Sequence, residues 1–167
     1  MRADHKPIVI LLTGGTLDKV HDTVTESLTF PEDGCSQLPT LLERARSHEI
    51  RLQDVVQKDS LEMTEADRQR ILEAVLAAKE NHIVITHGTG TMELTAQFLD
   101  GKTEDKTVVL TGAMRPFSLG RSDAAFNVGG AIIAVQTLPA GVYGVMNGRV
   151  FAAGQLHKDV QAGRFDL

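Results

Sequence analysis

An unbroken aliphatic run near the start of the chain leads directly into a pair of glycines. Residues Ile8 to Leu12 are followed by Thr13-Gly14-Gly15-Thr16. A run of this kind, with no polar position, suits a parallel strand that is buried on both faces. The glycines allow a sharp turn and leave main-chain N–H groups free to face a small anion. From the run alone, a ligand site at a strand end and an ordinary tight turn are equally good interpretations.

The composition is that of a globular domain, and it argues against several classes of partner. The chain has 167 residues, of which 42% are hydrophobic and 23% are charged, so it can form one domain with a core. The formal net charge of -5 argues against binding to nucleic acid or to an anionic membrane. A single cysteine, Cys35, excludes an internal disulfide, and no apolar run reaches the roughly 18 residues that cross a bilayer. Since no signal-peptide core precedes Pro7, we expect a cytoplasmic protein.

Strand and helix patterns alternate along the chain. The patterns predict buried or alternating strands at 8–12, 50–56, 83–86, 107–111 and 141–146, and helices at 37–47, 64–79, 92–99 and 123–137. They also predict a loop or short hairpin at 19–30, a hairpin that folds 149–152 back at Asn147-Gly148, and a polar loop at 154–167. This alternation predicts an α/β fold in which helices cover both faces of a mostly parallel sheet.

Three predicted strands end in small polar residues, at Thr13 to Thr16, Thr86 to Thr91 and Thr111 to Arg115. The carboxyl ends of parallel strands lie along one edge, so these hydroxyls and glycine N–H groups should converge there. The glycines do not match a phosphate-loop or dinucleotide fingerprint, and the six histidines show no H-x-x-x-H pairing. We therefore expect neither a cofactor nor a metal.

Hydroxyl chemistry is what remains for these strand ends. A threonine becomes a nucleophile when a nearby base takes its proton. Lys158, in the tail, is the candidate base, because a lysine partly removed from water can act in this way. Its spacing alone favours a solvated tail lysine.

Three stretches together resemble the signature motifs of the bacterial-type L-asparaginase family. They are Thr13-Gly14-Gly15-Thr16, His87-Gly88-Thr89-Gly90-Thr91-Met92-Glu93 and Leu110-Thr111-Gly112-Ala113-Met114-Arg115-Pro116. Two further segments, 58–64 and 122–127, resemble the family's second-strand loop and the helix after its third motif. The resemblance covers nearly the whole chain and is to the family's N-terminal domain alone. It implies a three-layer α/β/α fold with a Rossmann- or flavodoxin-like sheet. It also implies one domain over 1–167 with no C-terminal domain, as in short asparaginase-like proteins.

The same resemblance implies residue roles. Thr16 corresponds to the nucleophilic threonine, Thr89 to the second catalytic threonine, and Lys158 to the lysine paired with it. The remaining implied residues are the substrate-binding positions Gly15, Ser60, Leu61, Gly88, Gly90 and Ala113, among which Ser60 and the Gly88 backbone would hold the substrate's α-carboxylate. The implied reaction is acyl transfer to Thr16 with release of ammonia, followed by hydrolysis of the ester. Backbone N–H groups would stabilise the oxyanion.

The chain departs from the family pattern at the groups that recognise the substrate's α-ammonium. Gly90 stands where the family has an aspartate, and Leu61 stands where many members have a glutamine. The third contact in full-length relatives is a glutamate from a neighbouring subunit's C-terminal domain. Losing a charge partner for a desolvated ammonium costs about 3–5 kcal/mol. We therefore expect weak turnover of asparagine, or a preference for an amide or lactam of an acid without that amine.

The sequence also allows other interpretations. Glu62 or Asp18 could replace the missing carboxylate, although a structural or solvated role is commoner for each. The family's loop tyrosine is also missing: His21 lies in that region, and Tyr143 is in a predicted strand.

The chain could be a non-catalytic module that binds a small acid or a partner protein, or a fragment whose second domain is a separate chain. A site that is incomplete in one copy also suggests a homo-oligomer. The expected partners are a small-molecule amide or dicarboxylate and further copies of the chain.

Overall fold

A computed structural model describes residues 6–166 of the chain. The helices are α1 (Leu38–Arg44), α2 (Glu65–Ala77), α3 (Met92–Leu99) and α4 (Ala124–Thr137). The strands are β1 (Ile8–Gly14), β2 (Val20–Asp22), β3 (Ser27–Thr29), β4 (Ile50–Lys58), β5 (His82–Thr86), β6 (Thr107–Thr111), β7 (Gly141–Met146), β8 (Arg149–Ala152), β9 (Lys158–Asp159) and β10 (Arg164–Phe165). Single 3₁₀ turns at Thr16–Asp18 and Ser60–Glu62 follow β1 and β4.

The central sheet has six strands in the order β4-β1-β5-β6-β7-β8. The first five are parallel, and β8 folds back antiparallel on β7 through the predicted Asn147-Gly148 turn. Both turn residues have positive φ, 53° and 74°, as a tight hairpin requires. The parallel strands follow the flavodoxin-like order, in which the chain changes direction across the sheet between β1 and β5. The predicted α/β class and mostly parallel sheet are confirmed.

Two helices cover each face of the sheet. Leu38 and Leu41 of α1 and Val128 of α4 pack with Ile10 and other apolar side chains on one face. On the opposite face, α2 and α3 bury Ile71, Val75 and Met92 against side chains such as Leu11 and Ile83. Since both faces are covered, the inner strands can be apolar at every position, which is why their sequences do not alternate. Among residues 6–166, no helix combines the length and apolar character needed to cross a bilayer.

The start of α2 shows how the local sequence sets an element. The Thr64 hydroxyl accepts from the Asp67 N–H, and the Asp67 carboxylate accepts from the Thr64 N–H, forming a reciprocal capping box. Lys58 pairs with the same carboxylate at 2.7 Å. These contacts, with the Lys58 hydrogen bond the largest, lower the pKa of Asp67 to about 2.

The prediction of a polar loop at 154–167 is wrong for the described residues, which end at 166. This tail contains a 3₁₀ turn and the hairpin β9–β10. Phe165 is buried and packs on Phe151, with ring centroids 6.5 Å apart. The other element predictions are confirmed, with small changes at their ends, and 19–30 forms the short hairpin β2–β3.

Candidate active site

The loops that follow β1 and β5 touch through their backbones. A Cβ atom at Gly15 would lie 2.4 Å from the nitrogen of Gly88 and 2.6 Å from its Cα. Gly15 also has a φ of 80°, which L side chains rarely adopt. Thr16 and Thr89 each follow this contact by one residue. Both predicted catalytic threonines therefore belong to loops that meet at the point where the sheet reverses direction, the usual ligand position in such folds.

Ser60, after β4, packs against the same contact. A Cβ atom at Gly88 would lie 2.6 Å from the Ser60 hydroxyl oxygen. That hydroxyl accepts from the Thr91 N–H at 3.2 Å, and the Ser60 carbonyl accepts from the Thr91 hydroxyl at 2.7 Å. Three loops are thus locked together with almost no free volume between their backbones.

Thr89 is hydrogen-bonded to Lys158, 69 residues further along the chain. The Lys158 ammonium donates to the Thr89 hydroxyl at 2.9 Å. Thr89 is buried and Lys158 is half-buried. Within residues 6–166, Lys158 has no ion-pair partner.

A chain of hydrogen bonds holds the tail that carries Lys158. Phe165 pairs with Lys158 across β9 and β10. The Phe165 N–H donates to the Asn147 side-chain oxygen at 2.8 Å, and the Asn147 N–H donates to the Asn127 side-chain oxygen at 3.0 Å. The Asn127 amide in turn donates to the Gly112 carbonyl. The tail is thereby fixed to α4 and to the loop after β6.

Thr16 begins the 3₁₀ turn after β1 and is half-buried. Its carbonyl accepts from the Lys19 N–H at 3.1 Å, while its hydroxyl forms no hydrogen bond with any described residue. The backbone N–H groups of Thr16, Gly88 and Thr89 also lack partners in the described part of the chain. Unpaired N–H groups at strand ends are suitable donors to an anion or to a developing oxyanion.

His87 supports the Thr89 loop from inside the core. Its Nδ1 donates to the Gly88 carbonyl at 2.7 Å, and its Nε2 accepts from the Thr95 hydroxyl at 2.8 Å. Arg68 donates to the same Thr95 hydroxyl at 3.1 Å. Burial lowers the pKa of His87 to about 4, so the ring is neutral near pH 7 and fits this donor–acceptor pattern. The sequence singled out no such network, because its members are scattered over three elements.

One ion pair joins the turns after β1 and β4. Lys19 Nζ contacts the Asp59 carboxylate at 2.5 Å. Asp59 also accepts from the Leu61 N–H, which caps the turn that carries Ser60. The Lys19 hydrogen bond, more than any other contact, lowers the pKa of Asp59. No sequence pattern indicated this pair, since 40 residues separate its members.

Residues 7–166 match the family model described as Asparaginase, N-terminal. The chain belongs to the asparaginase family. It is 30% identical over 168 residues to a glutaminase-asparaginase of Acinetobacter glutaminasificans, covering 92% of this chain and 50% of that protein. It is 34% identical over 151 residues to L-asparaginase 2 of Escherichia coli, covering 86% of this chain and 43% of that protein. The crystal structure of a probable cytoplasmic L-asparaginase from Campylobacter jejuni superposes with a TM-score of 0.80 at 29% identity, covering 96% of this chain and 52% of that one.

The asparaginase resemblance predicted from three motifs is therefore confirmed, together with the fold. The chain spans about half the length of the curated relatives it matches.

The candidate site is apolar at Gly90 and Leu61, where the sequence predicts weak recognition of an α-ammonium. Leu61 is 75% exposed at the site, and a Cβ atom at Gly90 would lie 2.9 Å from its Cδ2. Gly90 does not have a strained positive φ, so its backbone alone would accept another residue. Ala113, the remaining predicted substrate-binding position, is buried in the loop after β6. Its neighbour Gly112 has no side chain, and this allows its backbone to contact the His87 carbonyl.

Several polar residues near the strand ends have structural partners instead of facing the site. The hydroxyl of Thr13 donates to the Thr86 carbonyl and that of Thr111 donates to the Val145 carbonyl, while the buried Thr86 hydroxyl lacks a partner within residues 6–166. The expectation that all strand-end hydroxyls converge on a ligand is wrong for Thr13 and Thr111.

Asp18, one candidate for a substitute carboxylate, is likewise structural. It is buried and accepts from the Ser36 hydroxyl at 2.6 Å and the Gln37 N–H at 2.8 Å, which anchors the start of α1. Burial raises its pKa. Glu62, the other candidate, is exposed on the turn after Ser60, His21 is exposed on β2, and Tyr143 packs within β7.

Proposed function

We propose that the protein is an amidohydrolase that hydrolyses a small carboxylate-bearing amide, L-asparagine or a relative of it, and releases ammonia. The observation that carries the proposal is the 2.9 Å hydrogen bond between Lys158 and the buried Thr89, which the fold forms from distant parts of the chain. A lysine beside a buried hydroxyl is an arrangement that can move protons. Membership of the asparaginase family supports the same chemistry.

In the proposed reaction, the Thr16 hydroxyl attacks the amide carbon and forms an ester, and the C–N bond breaks. The proton from Thr16 goes to the leaving nitrogen, so ammonia departs as a neutral molecule. Water then attacks the ester carbon, and Lys158, acting through Thr89, takes the water's proton and returns it to Thr16. The unpaired N–H groups of the site would stabilise the oxyanion in both halves, a contribution often worth several kcal/mol.

We propose that the protein does not require an α-amino group on its substrate. An α-ammonium placed beside Gly90 would meet the apolar Leu61 side chain. Asp59, two residues before Leu61, is already neutralised by Lys19. A carboxylate, by contrast, would find Lys158, the Ser60 hydroxyl and unpaired N–H groups. Succinamate, which is asparagine without its amine, is thus a better match to this charge pattern than asparagine.

The test compares ammonia release from asparagine, glutamine and succinamate by the wild-type chain and by Thr16→Ala. The proposal predicts release from at least one amide by the wild type and its loss, by about 10³-fold or more, in Thr16→Ala. Ser36→Ala, which removes a hydroxyl from the nearby Asp18 contact and not from the site, serves as the control. Equal rates for wild type and Thr16→Ala would overturn the proposal.

A second candidate is a non-catalytic module that binds a small acid. The apolar Gly90–Leu61 corner favours it, because a leucine in place of a polar side chain weakens contacts to a substrate's α-ammonium. Calorimetry with succinate distinguishes the two functions. Binding of succinate without ammonia release from any amide would support the module, whereas turnover would exclude it.

Assembly into a homo-oligomer is also proposed, with a second copy of the chain as the partner. A hollow of about 630 Å³ lies between α4 and β8, bordered by the exposed side chains of Phe126, Ile133 and Val150. Apolar patches of this kind mark interaction surfaces in soluble proteins.

The expected cytoplasmic location stays a prediction; the similar protein from Campylobacter jejuni is described as a probable cytoplasmic L-asparaginase.

A further inference from the structure

The guanidinium of Arg68, on α2, joins three segments around the site. Its Nε donates to the Thr95 hydroxyl of α3 at 3.1 Å, and its Nη2 donates to the Thr91 hydroxyl at 3.1 Å. Its Nη1 donates at 3.2 Å to the Met63 carbonyl, directly after the 3₁₀ turn that begins at Ser60. In the described part of the chain Arg68 forms no ion pair, so these three acceptors are all neutral. The contacts therefore supply a fixed, forked geometry rather than a charge pair.

One branch of contacts runs from Arg68 to the peptide between Gly88 and Thr89. Arg68 can only donate, so the Thr95 hydroxyl accepts from it and keeps its own proton for the His87 Nε2, 2.8 Å away. The Gly88 carbonyl can only accept, so the His87 Nδ1 donates to it at 2.7 Å. In a trans peptide the carbonyl and the following N–H point in opposite directions. The Gly88 carbonyl, held by the buried ring, thus turns the Thr89 N–H away from that ring.

The second branch runs from Arg68 to the Ser60 turn. The Thr91 hydroxyl accepts from Arg68 and donates to the Ser60 carbonyl at 2.7 Å. The Thr91 N–H donates to the Ser60 hydroxyl oxygen at 3.2 Å. Because that oxygen is the acceptor in this contact, its own proton is left for another acceptor, and it meets none within the described chain. This branch thus fixes a hydroxyl whose proton is free to bind an anion.

We propose that Arg68 is a positioning residue that orients the Thr89 N–H through one branch and the Ser60 hydroxyl through the other. The inference rests on the proposed function, in which the N–H serves the oxyanion and the hydroxyl serves the substrate carboxylate. Arg68 acts on these groups only through other side chains. A displacement of about 1 Å among reacting groups can cost about 10²-fold in rate, so an anchor of this kind has a kinetic consequence.

Kinetic constants for the best amide substrate separate the two branches. Arg68→Met removes the fork from both branches and should lower kcat/KM by about 10²-fold. Thr95→Val breaks the first branch and should mainly lower kcat, whereas Thr91→Val breaks the second and should mainly raise KM. Each of these two effects should be about tenfold, as expected for one hydrogen bond to a charged group. Arg68→Lys keeps the charge without the fork and should lose at least about tenfold in kcat/KM.

Arg51→Lys is the matched control for Arg68→Lys. Arg51 is also half-buried, and it also donates through Nε and both terminal nitrogens, to Glu80 and Gln53. It lies at the start of β4, at the end of the strands opposite the site. Its replacement should lower the thermal stability of the fold and leave kcat and KM close to the wild type. An equal loss of kcat/KM in Arg51→Lys and Arg68→Lys would overturn the inference.

NMR of isotope-labelled protein gives a readout that does not need turnover. In the wild type we expect the His87 Nδ1 proton to exchange slowly with water, because the ring is buried and hydrogen-bonded at both nitrogens. In Arg68→Met and Thr95→Val, this exchange should be about tenfold faster or more, and the Thr89 amide signal should move. Thr91→Val and Arg51→Lys should leave the His87 signal as it is, which a general loosening of the fold would not do.

Unchanged His87 and Thr89 signals in both Arg68→Met and Thr95→Val would overturn the inference. So would wild-type kcat/KM in Arg68→Met, and in that case the proposed function would still stand. If the signals change as expected and no variant, wild type included, hydrolyses an amide, Arg68 orients these groups and the proposed function fails.

Discussion

Gly90 and Leu61 form one corner of the proposed substrate site. The two residues touch, since a Cβ atom at Gly90 would lie within 3.2 Å of both Cγ and Cδ2 of Leu61. These atoms belong to the outer end of an exposed, flexible side chain, so a larger residue at 90 can displace them at little cost. The same Cβ atom would lie 3.2 Å from the Ser60 hydroxyl oxygen, so a larger residue at 90 also requires a shift of a few tenths of an ångström there.

Restoring the carboxylate should restore recognition of the amine. We expect Gly90→Asp to raise kcat/KM for asparagine by about tenfold, and Gly90→Asp with Leu61→Gln by about a hundredfold, because the new anion pairs with the substrate ammonium. Steady-state kinetics with asparagine and succinamate checks this. Gly90→Asn adds the same bulk without charge and should not improve asparagine turnover. Equal gains for Asp and Asn, or none for either, would contradict the electrostatic explanation.

His87 makes the stability of the fold depend on pH. Its folded pKa is lowered by burial to about 4, whereas the unfolded chain takes up this proton near pH 6.5. The unfolded state therefore binds more protons between these values, and the free energy of unfolding falls as pH drops from about 6.5 to about 4, by about 3 kcal/mol in total.

Urea unfolding at pH 7, 6, 5 and 4.5 tests this dependence on His87. The free energy of unfolding should fall much less steeply with decreasing pH in His87→Gln than in the wild type. His48→Gln, at an exposed position, should show the same dependence on pH as the wild type. His82 contributes in the same direction, since burial lowers its pKa too, so the difference between wild type and His87→Gln isolates His87. Asp67 and Glu80, each with a pKa of about 2, lose their contributions at lower pH. Parallel slopes for wild type and His87→Gln would be inconsistent with a buried neutral ring.

At the scale of elements, the tail β9–β10 brings Lys158 to Thr89. It has two short strands and is anchored mainly by Phe165, which is 2% exposed, and by the Asn147 hydrogen bond. We expect Phe165→Ala to release the tail while the central sheet stays folded, because Phe165 is the one buried side chain among residues 157–166.

Loss of the tail should lower kcat by about 10²-fold or more, the usual contribution of a proton-transferring group. Hydrogen exchange with mass spectrometry should show faster exchange at 156–166 and unchanged protection in β1 and β5. Val160→Ala, on the exposed tip of the same hairpin, provides the control and should retain activity. Full activity in Phe165→Ala would show that the tail is not needed.

The elements that could be predicted are those whose pattern is local. The aliphatic runs of β1, β5 and β6 and the capping residues of α2 are visible within a few positions of the chain. The strands of the tail cannot be predicted from the sequence, because two-residue strands have no periodicity and the Phe165 N–H binds Asn147, which lies 18 residues away. The Lys19–Asp59 pair and the Arg68–Thr95–His87 network depend on the sheet order in the same way.

In the candidate site, too, local motifs could be predicted and contacts between distant parts of the chain could not. Motif resemblance selected Thr16, Thr89 and Lys158, and the structure brings Thr89 and Lys158 into contact. The partners of the Thr13 and Thr111 hydroxyls could not be predicted from the sequence, because each contact depends on a neighbouring strand.

At the scale of the whole molecule, the outer face of α4 is the candidate interface between copies. Phe126 and Ile133 are 66% and 63% exposed, one on each side of Gly129 and Gly130. A bulky side chain beside a small-residue gap allows two copies to fit together around a two-fold axis.

Light scattering should therefore give a mass above 18.1 kDa for the wild type at micromolar concentration. Phe126→Glu should lower that mass to the monomer value, while Val24→Glu, at an apolar residue exposed on the β2–β3 hairpin, should not. A monomeric wild type would rule out the interface.

The account as a whole depends on Thr16 being the residue that carries the acyl group. The most direct measurement is peptide mass spectrometry of the wild-type chain, quenched in acid during turnover of an excess of the best amide substrate. The account predicts a mass increase equal to the substrate minus ammonia on the peptide that contains Thr16, and no such adduct in Thr16→Ala. An adduct on Thr89, or undiminished turnover in Thr16→Ala, would contradict it.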